Sequence, residues 1–90
     1  KRYFRADHAH KKCNQVLIPI NGTIEVYITN KNKKERKFLL SLRSNNYLFV
    51  PKDHWIKLKF IKKKSILLTL CDYKYDKKEY IQSKKKFFKK

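Results

Sequence analysis

The stretch from residue 8 to residue 22, HAHKKCNQVLIPING, is the part of the sequence that decides the fold. It joins two histidines, one residue apart, to an apolar run and to the single glycine of the chain. Because successive side chains of a β-strand point to opposite faces, His8 and His10 are predicted to project to one side while Ala9 points away. We therefore expect a strand that presents two imidazoles together, an arrangement that suits either metal binding or proton transfer.

The segments that follow the histidines have the short alternating patterns of β-strands. Segment 14–20, NQVLIPI, is followed by Asn21 and Gly22, a strong signal for a β-hairpin. In segment 23–29, TIEVYIT, apolar residues occupy every second position, which predicts a half-buried strand. The remaining predicted strands are RKFLLSL at 36–42, YLFV at 47–50, WIKLKF at 55–60 and SILLTLC at 65–71. Short strands at a spacing of about eight to twelve residues indicate an all-β sandwich or barrel.

The C-terminal segment lacks this alternation. We predict a loop after Asp72, a short helix near residues 77–82 and a basic tail over 83–90, whose lysines are expected to be solvated. A chain of 90 residues fits a single domain, here 1–90, with a modest core. The predicted strands are few for a closed jelly roll, so we expect further strands upstream of Lys1.

The charge of the chain is strongly positive. Lysine and arginine outnumber acidic residues by 25 to 7, which gives a formal net charge of +18. Such a field attracts nucleic acid, anionic lipid or a phosphorylated ligand. The sequence has only 4 arginines beside 21 lysines, whereas bidentate recognition of phosphates and bases depends on the arginine fork. A nucleic-acid-binding module is therefore our third interpretation, and nucleic acid is disfavoured as a partner.

Other features predict a cytoplasmic protein. Neither the first residues nor any later segment has the apolar run of a signal peptide or a membrane span, so we expect no membrane partner. The two cysteines, Cys13 and Cys71, are far apart and have no CxxC or Cys/His ligand spacing. This pattern favours reduced, buried thiols over a disulfide framework or a zinc site.

The histidine stretch also has the spacing of the first cupin motif. In that motif, HxH is followed after four residues by an acidic ligand and after six more by glycine. Gln15 and Gly22 occupy these two positions here. A neutral amide is a poor ligand for a divalent cation, so Gln15 weakens the metal interpretation.

The second cupin motif is altered as well. It would begin at Pro51 and would place a third metal histidine at position 56, where this chain has Ile56. His54 lies out of register and is expected to cap a turn or to face solvent. We therefore interpret His8 and His10 as an acid/base pair. A metal site completed from elsewhere and purely structural strand histidines are the alternatives.

Three segments, taken together, point to a known family. They are FRADHAHKKCNQVLIPINGTIEV at 4–26, LFVPKDHW at 48–55 and LLTLCDYKYDKKEYI at 67–81. Their order and spacing resemble the metal-independent sugar-nucleotide 3,4-ketoisomerases, the WxcM-like cupins that act on dTDP-4-keto-6-deoxyglucose. The resemblance extends from Arg5 to Ile81. Members of the family commonly have glycine where this chain has Ala6 and aspartate where it has Glu79.

This resemblance implies a cupin jelly roll or small β-barrel. It also implies an isomerase that moves the keto group of a dTDP-4-keto-6-deoxyhexose from C4 to C3, in deoxysugar biosynthesis for surface polysaccharide. The enzyme is expected to use no metal and no cofactor and to be a homodimer. The alternative is a non-catalytic or truncated cupin that binds a sugar nucleotide or a partner domain.

The resemblance further implies roles for individual residues. His8 is the candidate base and His10 its proton-relay or oxyanion partner. Arg5 is expected to bind a substrate oxygen, with a plain surface charge as the alternative. Gln15 is expected to bond a histidine or a sugar hydroxyl. Trp55 is expected to wall the pocket, although buried packing fits it equally well. The tyrosines expected only to pack the C-terminal segment are Tyr73, Tyr75 and Tyr80.

Overall fold

The computed structural model describes residues 4–88 of the chain. Within this range the strands are β1 Phe4–His10, β2 Gln15–Asn21, β3 Ile24–Thr29, β4 Glu35–Leu40, β5 Leu48–Val50, β6 Trp55–Phe60, β7 Ile66–Cys71 and β8 Tyr80–Ile81. A 3-10 turn, Lys77–Glu79, precedes β8, and helix α1 spans Lys84–Phe88. The predicted all-β fold with a short, partly helical C-terminal segment is confirmed. No helix in the described range is long and apolar enough to cross a bilayer.

The strands form two antiparallel sheets that share one core. Five strands form one sheet in the order β4-β3-β6-β1-β8, and three form the other in the order β5-β2-β7. In β3, Ile24, Val26 and Ile28 are buried at alternate positions, as the sequence pattern predicts. The buried core side chains come from both sheets: Leu17, Ile24, Val26, Ile28, Leu40, Val50, Ile56 and Leu58.

Asn21 and Gly22 end β2, but they do not form the predicted hairpin. β2 pairs with β5 and β7, whereas β3 pairs with β4 and β6 in the other sheet. Gly22 does supply turn geometry, because its φ of 77° lies in the region that glycine adopts without strain. A Cβ on Gly22 would lie 2.8 Å from the Cα of Ser65. The hairpin prediction is wrong because a turn signal does not specify which sheet the next strand joins.

A bulge interrupts β1 at Ala6 and Asp7. Their φ angles are 70° and 40°, in the left-handed region that costs a residue with a Cβ about 1–2 kcal/mol. Asp7 Oδ1 accepts a hydrogen bond from Trp55 Nε1 at 2.9 Å, which ties the bulge to β6. A glycine in place of Ala6 would adopt this conformation without the steric cost.

The bulge also changes the direction of side chains along β1. Arg5 lies opposite Leu58 of β6, and His8 lies opposite Ile56. On a regular strand, residues three positions apart point to opposite faces. The extra residue of the bulge therefore turns Arg5 and His8 to the same face, on which Ile56 and Leu58 enter the core.

Helix α1 covers the other face of the five-stranded sheet. Phe87 is 1% exposed and packs with Ala9 and Trp55 in a second, smaller core. Lys31 donates a hydrogen bond to the backbone carbonyl of Phe87 at 2.9 Å. In the described part of the predicted basic tail over 83–90, Lys84, Lys85 and Lys86 are exposed as expected, whereas Phe87 is buried and docks the helix. Residues 89 and 90 of that tail lie outside the described range.

The helix predicted near residues 77–82 is shorter and of another type. Only Lys77–Glu79 form a 3-10 turn, and the chain then enters β8. The strand forms because Tyr80 and Ile81 pair with the end of β1 and extend the sheet. This pairing brings Glu79 and Tyr80 beside the histidines.

The outer face of the three-stranded sheet is apolar. Its side chains alternate with those that enter the core, and their neighbours on adjacent strands are apolar as well. Five of them are 44–55% exposed: Ile20, Phe49, Ile66, Leu68 and Leu70. We call these five residues the apolar outer face. Contiguous apolar patches on a surface mark interaction sites.

Candidate active site

His8 and His10 meet on the inner face of β1, as their alternation predicts. Their Nε2 atoms lie 3.1 Å apart, a hydrogen-bond distance, and their ring planes are nearly perpendicular at 88°. His10 is buried, whereas His8 is half-buried. The pair is one hydrogen-bonded unit with a buried end at His10 and a more accessible end at His8.

Glu79 holds the buried end of this unit. Its Oε1 accepts from His10 Nδ1 at 2.9 Å and from the backbone N–H of Cys13 at 3.2 Å. Its Oε2 accepts from the backbone N–H of Lys11 at 2.7 Å. Glu79 is itself buried, and these three donors satisfy a carboxylate that would otherwise be costly to bury. The carboxylate fixes both the orientation and the tautomer of His10.

Only one proton occupies the space between the two Nε2 atoms. Because Glu79 accepts from the Nδ1–H of His10, the Nε2 of a neutral His10 carries a lone pair and accepts from the Nε2–H of His8. A protonated His10 donates from Nε2 to His8 instead. Glu79, His10 and His8 therefore form a continuous hydrogen-bonded chain, an arrangement along which a proton can pass between the two rings.

The environment of His8 favours its neutral form. Burial lowers the pKa of His8 below its ordinary value of about 6.5, and a charge on His10 lowers it further. A backbone hydrogen bond with Ala6 and the negative charges of Glu79 and Asp7 raise the pKa, but they do not offset the lowering. His8 is therefore neutral near pH 7, the form that a general base requires.

Tyr80 packs against both imidazoles. Its ring centre lies 5.0 Å from that of His8 and 4.5 Å from that of His10. Burial raises the pKa of Tyr80, so its phenol keeps its proton and remains a hydrogen-bond donor. Tyr73, Tyr75 and Tyr80 are expected to pack the C-terminal segment, and the ring of Tyr80 in addition packs against the histidine pair.

Sequence reasoning does not identify Glu79 or Tyr80 as site residues. The hydrogen bond from His10 to Glu79 joins residues 69 positions apart, so no local sequence pattern predicts it. One signal was available, because both residues lie in the segment 67–81 that resembles the family. An acid followed by an aromatic residue also stands out within the lysine-rich run KKEYI.

Gln15 begins β2 and faces the same interior. It is buried, and its Nε2 donates to Cys71 Sγ at 3.7 Å. Its Oε1 is buried and has no hydrogen-bond partner among residues 4–88. The structure does not bring Gln15 into a hydrogen bond with either histidine, so of the two expected partners only a sugar hydroxyl fits.

The donor set around the histidines does not reproduce a cupin metal site. Ile56, at the position of the third metal histidine, lies opposite His8 and is buried in the core. Among the described residues, the donor atoms of His10, Cys13 and Glu79 lie within 4.8 Å of one another. These three residues could hold a cation only if it displaced the hydrogen bond between His10 and Glu79.

Arg5 and Trp55 lie on different faces of the five-stranded sheet. Arg5 shares the inner face with His8, and its guanidinium lies 5.8 Å from the ring centre of Phe60. Trp55 pairs with Ala9, which points away from the histidines, and is buried in the second core. The structure therefore fits the packing interpretation of Trp55 and not the pocket wall. His54 bonds within its turn, where its Nδ1–H donates to the Lys52 carbonyl at 3.0 Å.

A basic cavity lies beside Tyr80. It has a volume of about 750 Å³ and is lined by Tyr80 and by the exposed ring of Tyr75. Its lysines are Lys11, Lys31, Lys77 and Lys86. Tyr80 contacts both imidazoles and also lines the cavity, whereas Ile81 and Phe87, which line it as well, belong to the second core on the other face of the sheet.

The family model described as WxcM-like, C-terminal (FdtA), matches residues 1–90. The chain belongs to this WxcM-like family. The resemblance drawn from the sequence is thereby confirmed, and every residue of the candidate site lies within the matched range. No curated protein matches the WxcM-like chain.

Solved 3,4-ketoisomerases are similar in structure to the WxcM-like chain. WlaRA, a TDP-fucose-3,4-ketoisomerase from Campylobacter jejuni, is 32% identical over 98% of this chain, with a TM-score of 0.88. A 3,4-ketoisomerase from Helicobacter canadensis is 29% identical over 98% of this chain and 71% of its own, with a TM-score of 0.84. WlaRB, a TDP-quinovose 3,4-ketoisomerase from Campylobacter jejuni, is 28% identical over 98% of this chain and 73% of its own, with a TM-score of 0.81. The WxcM-like chain spans 64% of the length of WlaRA.

Proposed function

We propose that the WxcM-like chain forms the catalytic part of an isomerase that moves the keto group of a dTDP-4-keto-6-deoxyhexose from C4 to C3. We place this reaction in cytoplasmic deoxysugar biosynthesis for surface polysaccharide. The observation that carries the proposal is the hydrogen-bonded chain of Glu79, His10 and His8, which takes up and returns a proton. The activity named for WlaRA supports the substrate class.

The reaction requires a proton to leave C3 and another to reach C4. His8 removes the C3 proton, the electrons of that C–H bond form a C3–C4 double bond, and the C4 carbonyl oxygen becomes an enediolate oxygen. His10, stabilised by Glu79, holds the proton while the enediolate exists. A proton is then delivered to C4, and the C3 hydroxyl proton passes to the C4 oxygen, which leaves a ketone at C3 and a hydroxyl at C4. The product is an isomer of the substrate, so no oxidant or reductant is consumed.

Three side chains around the pair supply the substrate contacts. Arg5 shares the inner face with His8, and its charge suits the enediolate oxygen or another sugar oxygen. Tyr80 keeps its phenol proton and is a second donor. The unpartnered Oε1 of Gln15 suits a sugar hydroxyl. Trp55 takes no part, since it packs on the other face of the sheet.

The nucleotide occupies the basic cavity in this proposal. The four lysines of the cavity attract a diphosphate, and the exposed ring of Tyr75 suits stacking on thymine. Tyr80 lines this cavity and contacts both imidazoles, so a sugar attached to the diphosphate reaches His8 by passing Tyr80. A strongly positive surface attracts a substrate that carries a negatively charged diphosphate.

We also propose that the protein is a homodimer in which a second copy covers the apolar outer face. The chain has a net charge of +18, so two lysine-covered faces repel each other. The five side chains of the apolar outer face are uncharged and lie together on one sheet. This surface therefore allows two copies to approach while burying apolar area.

One experiment follows both the proton and the keto group. The protein that contains this chain is incubated with dTDP-4-keto-6-deoxyglucose in D₂O, and the sugar ring protons are followed by NMR. We expect a 3-keto product, with deuterium at C4 and loss of the C3 proton signal. Absence of both solvent exchange and product would contradict the isomerase proposal.

Other outcomes select the alternatives. Calorimetric binding of the sugar nucleotide without exchange would support a non-catalytic cupin. Steeply salt-dependent binding of DNA at about 50 mM salt would support the nucleic-acid module. Turnover is expected to survive chelation by EDTA, and its loss would assign the histidines to a metal site instead.

A further inference from the structure

The two thiols of the chain lie together at the edge of the candidate site. Cys13 precedes β2, and Cys71 ends β7. Backbone pairing brings them near each other, because Gln15 pairs with Cys71 and the N–H of Asp72 donates to the carbonyl of Asn14 at 3.2 Å. Cys13 Sγ donates to the carbonyl of Asn14 at 3.3 Å, and Cys71 Sγ accepts from Gln15 Nε2 at 3.7 Å, so both sulfurs lie at the same end of the ladder between β2 and β7.

The two thiols differ in their access to solvent. Cys71 is exposed, whereas Cys13 is only 3% exposed. The sequence-based prediction of buried thiols is thus correct for Cys13 and wrong for Cys71. Burial, together with the neighbouring Cys71 thiol, raises the pKa of Cys13 to about 11. Cys71 is open to reagents in solution, and Cys13 is placed to react only with Cys71.

We propose that Cys13 and Cys71 form a reversible intramolecular disulfide when the protein meets a low-molecular-weight disulfide such as oxidised glutathione. The Cys71 thiolate attacks one glutathione sulfur, which forms a mixed disulfide and releases the first glutathione. Cys13 gives up its proton, its sulfur attacks the Cys71 sulfur, and the second glutathione leaves. The protein loses two hydrogens and two electrons, which reduce one glutathione disulfide to two thiols.

The disulfide connects two supports of the candidate site. The backbone N–H of Cys13 donates to Glu79 Oε1, and Gln15 Nε2 donates to the sulfur of Cys71. Oxidation therefore fastens the segment that holds Glu79 to the strand end that holds Gln15. We expect the oxidised protein to be more stable to heat, because the crosslink closes a long loop in the unfolded chain.

Mass spectrometry tests this proposal without reference to isomerase activity. The reduced protein is incubated with oxidised glutathione at mildly alkaline pH, and free thiols are then alkylated with iodoacetamide. We expect the wild-type mass to fall by about 2 Da with no alkyl group added, and dithiothreitol to reverse the change. Peptide mapping should recover a peptide pair crosslinked through Cys13 and Cys71. The Tm should rise by about 5 °C or more on oxidation.

Single-cysteine variants give matched controls. Cys13→Ser should take up one glutathione, about 305 Da, because its remaining thiol is exposed. Cys71→Ser should stay unmodified over the same period, because its remaining thiol is buried. The proposal is overturned by a wild-type protein that stays reduced, carries two glutathiones or forms covalent dimers. It is also overturned if Cys71→Ser reacts as fast as Cys13→Ser.

Discussion

At the scale of single residues, the carboxylate of Glu79 distinguishes the two histidines. Glu79 bonds directly to His10, whereas His8 is joined to the carboxylate only through His10. Burial lowers the pKa of His8, so its imidazole is neutral near pH 7. This difference in surroundings is the basis for proposing His8 as the base and His10 as its relay partner.

Replacement of either imidazole should remove most of the activity. Asparagine in His8→Asn or His10→Asn keeps a similar size and some hydrogen bonding but cannot titrate near pH 7. We expect kcat to fall by about 10²-fold or more in each variant, the usual scale for losing a general base. His54→Asn is the matched control, because His54 bonds only within its own turn. Equal losses in all three variants would contradict the assignment.

The pH profile should report the lowered pKa of His8. The base must be neutral, and burial keeps His8 neutral to a lower pH than an ordinary histidine. We expect kcat/KM to stay constant as the pH falls to about 6.5 and to decrease only below that value. Steady-state rates measured from pH 5 to pH 9 check this, and an acid limb above about pH 7 would disprove the assignment of the base.

Glu79→Gln should slow proton transfer through His10 while leaving the other residues of the site in place. Glutamine lacks the negative charge that stabilises His10, and its amide group cannot accept all three hydrogen bonds that Glu79 accepts. We expect kcat to fall by about 10-fold or more with little change in KM, together with a shifted pH profile. Partial recovery of kcat in Glu79→Asp, which restores the charge, separates this positioning role from a loss of folding.

At the scale of strands, the bulge in β1 has a steric cost that a substitution can relieve. Ala6→Gly should raise the free energy of unfolding by about 0.5–1 kcal/mol, because the left-handed strain exceeds the entropy cost of glycine. Ala9→Gly is the matched control on the same strand. Ala9 is fully buried and its methyl group packs with Trp55 and Phe87, so this change should destabilise by about 1 kcal/mol or more. Urea unfolding measures both, and a destabilising Ala6→Gly would refute the strain argument.

The strands show which features of the fold can be predicted from the local sequence. Alternation predicts β3 well, because each apolar residue there is buried on one face regardless of the partner strand. After Gly22 the chain passes from the three-stranded to the five-stranded sheet. The local sequence does not predict this change, because it depends on the pairing of β2 with the distant strands β5 and β7. The histidine pair is predictable from its spacing on one strand. Glu79 is not, because a hydrogen bond across 69 positions leaves no periodic pattern.

At the scale of the whole molecule, the apolar outer face should control association. Leu68→Lys places a charge on this face, between Ile66 and Leu70 of β7, and we expect it to convert a dimer into a monomer in analytical ultracentrifugation. Leu42→Lys is the matched control, because Leu42 is 67% exposed but lies outside the two sheets. A wild-type protein that is monomeric, or a Leu68→Lys variant that remains dimeric, would contradict the proposed interface.

The pairing of β1 with β8 has a consequence for synthesis of the protein on the ribosome. Strand β1 carries the histidines, whereas Glu79, which bonds His10, is made 69 residues after it, and Tyr80 follows Glu79. A nascent chain therefore carries His8 and His10 without their carboxylate until residue 79 has left the exit tunnel, and it leaves Trp55 uncovered until Phe87 follows. Pairing between sequence-distant strands is slow, so the hydrogen bond between His10 and Glu79 is expected to form later than the contacts among β1 to β7.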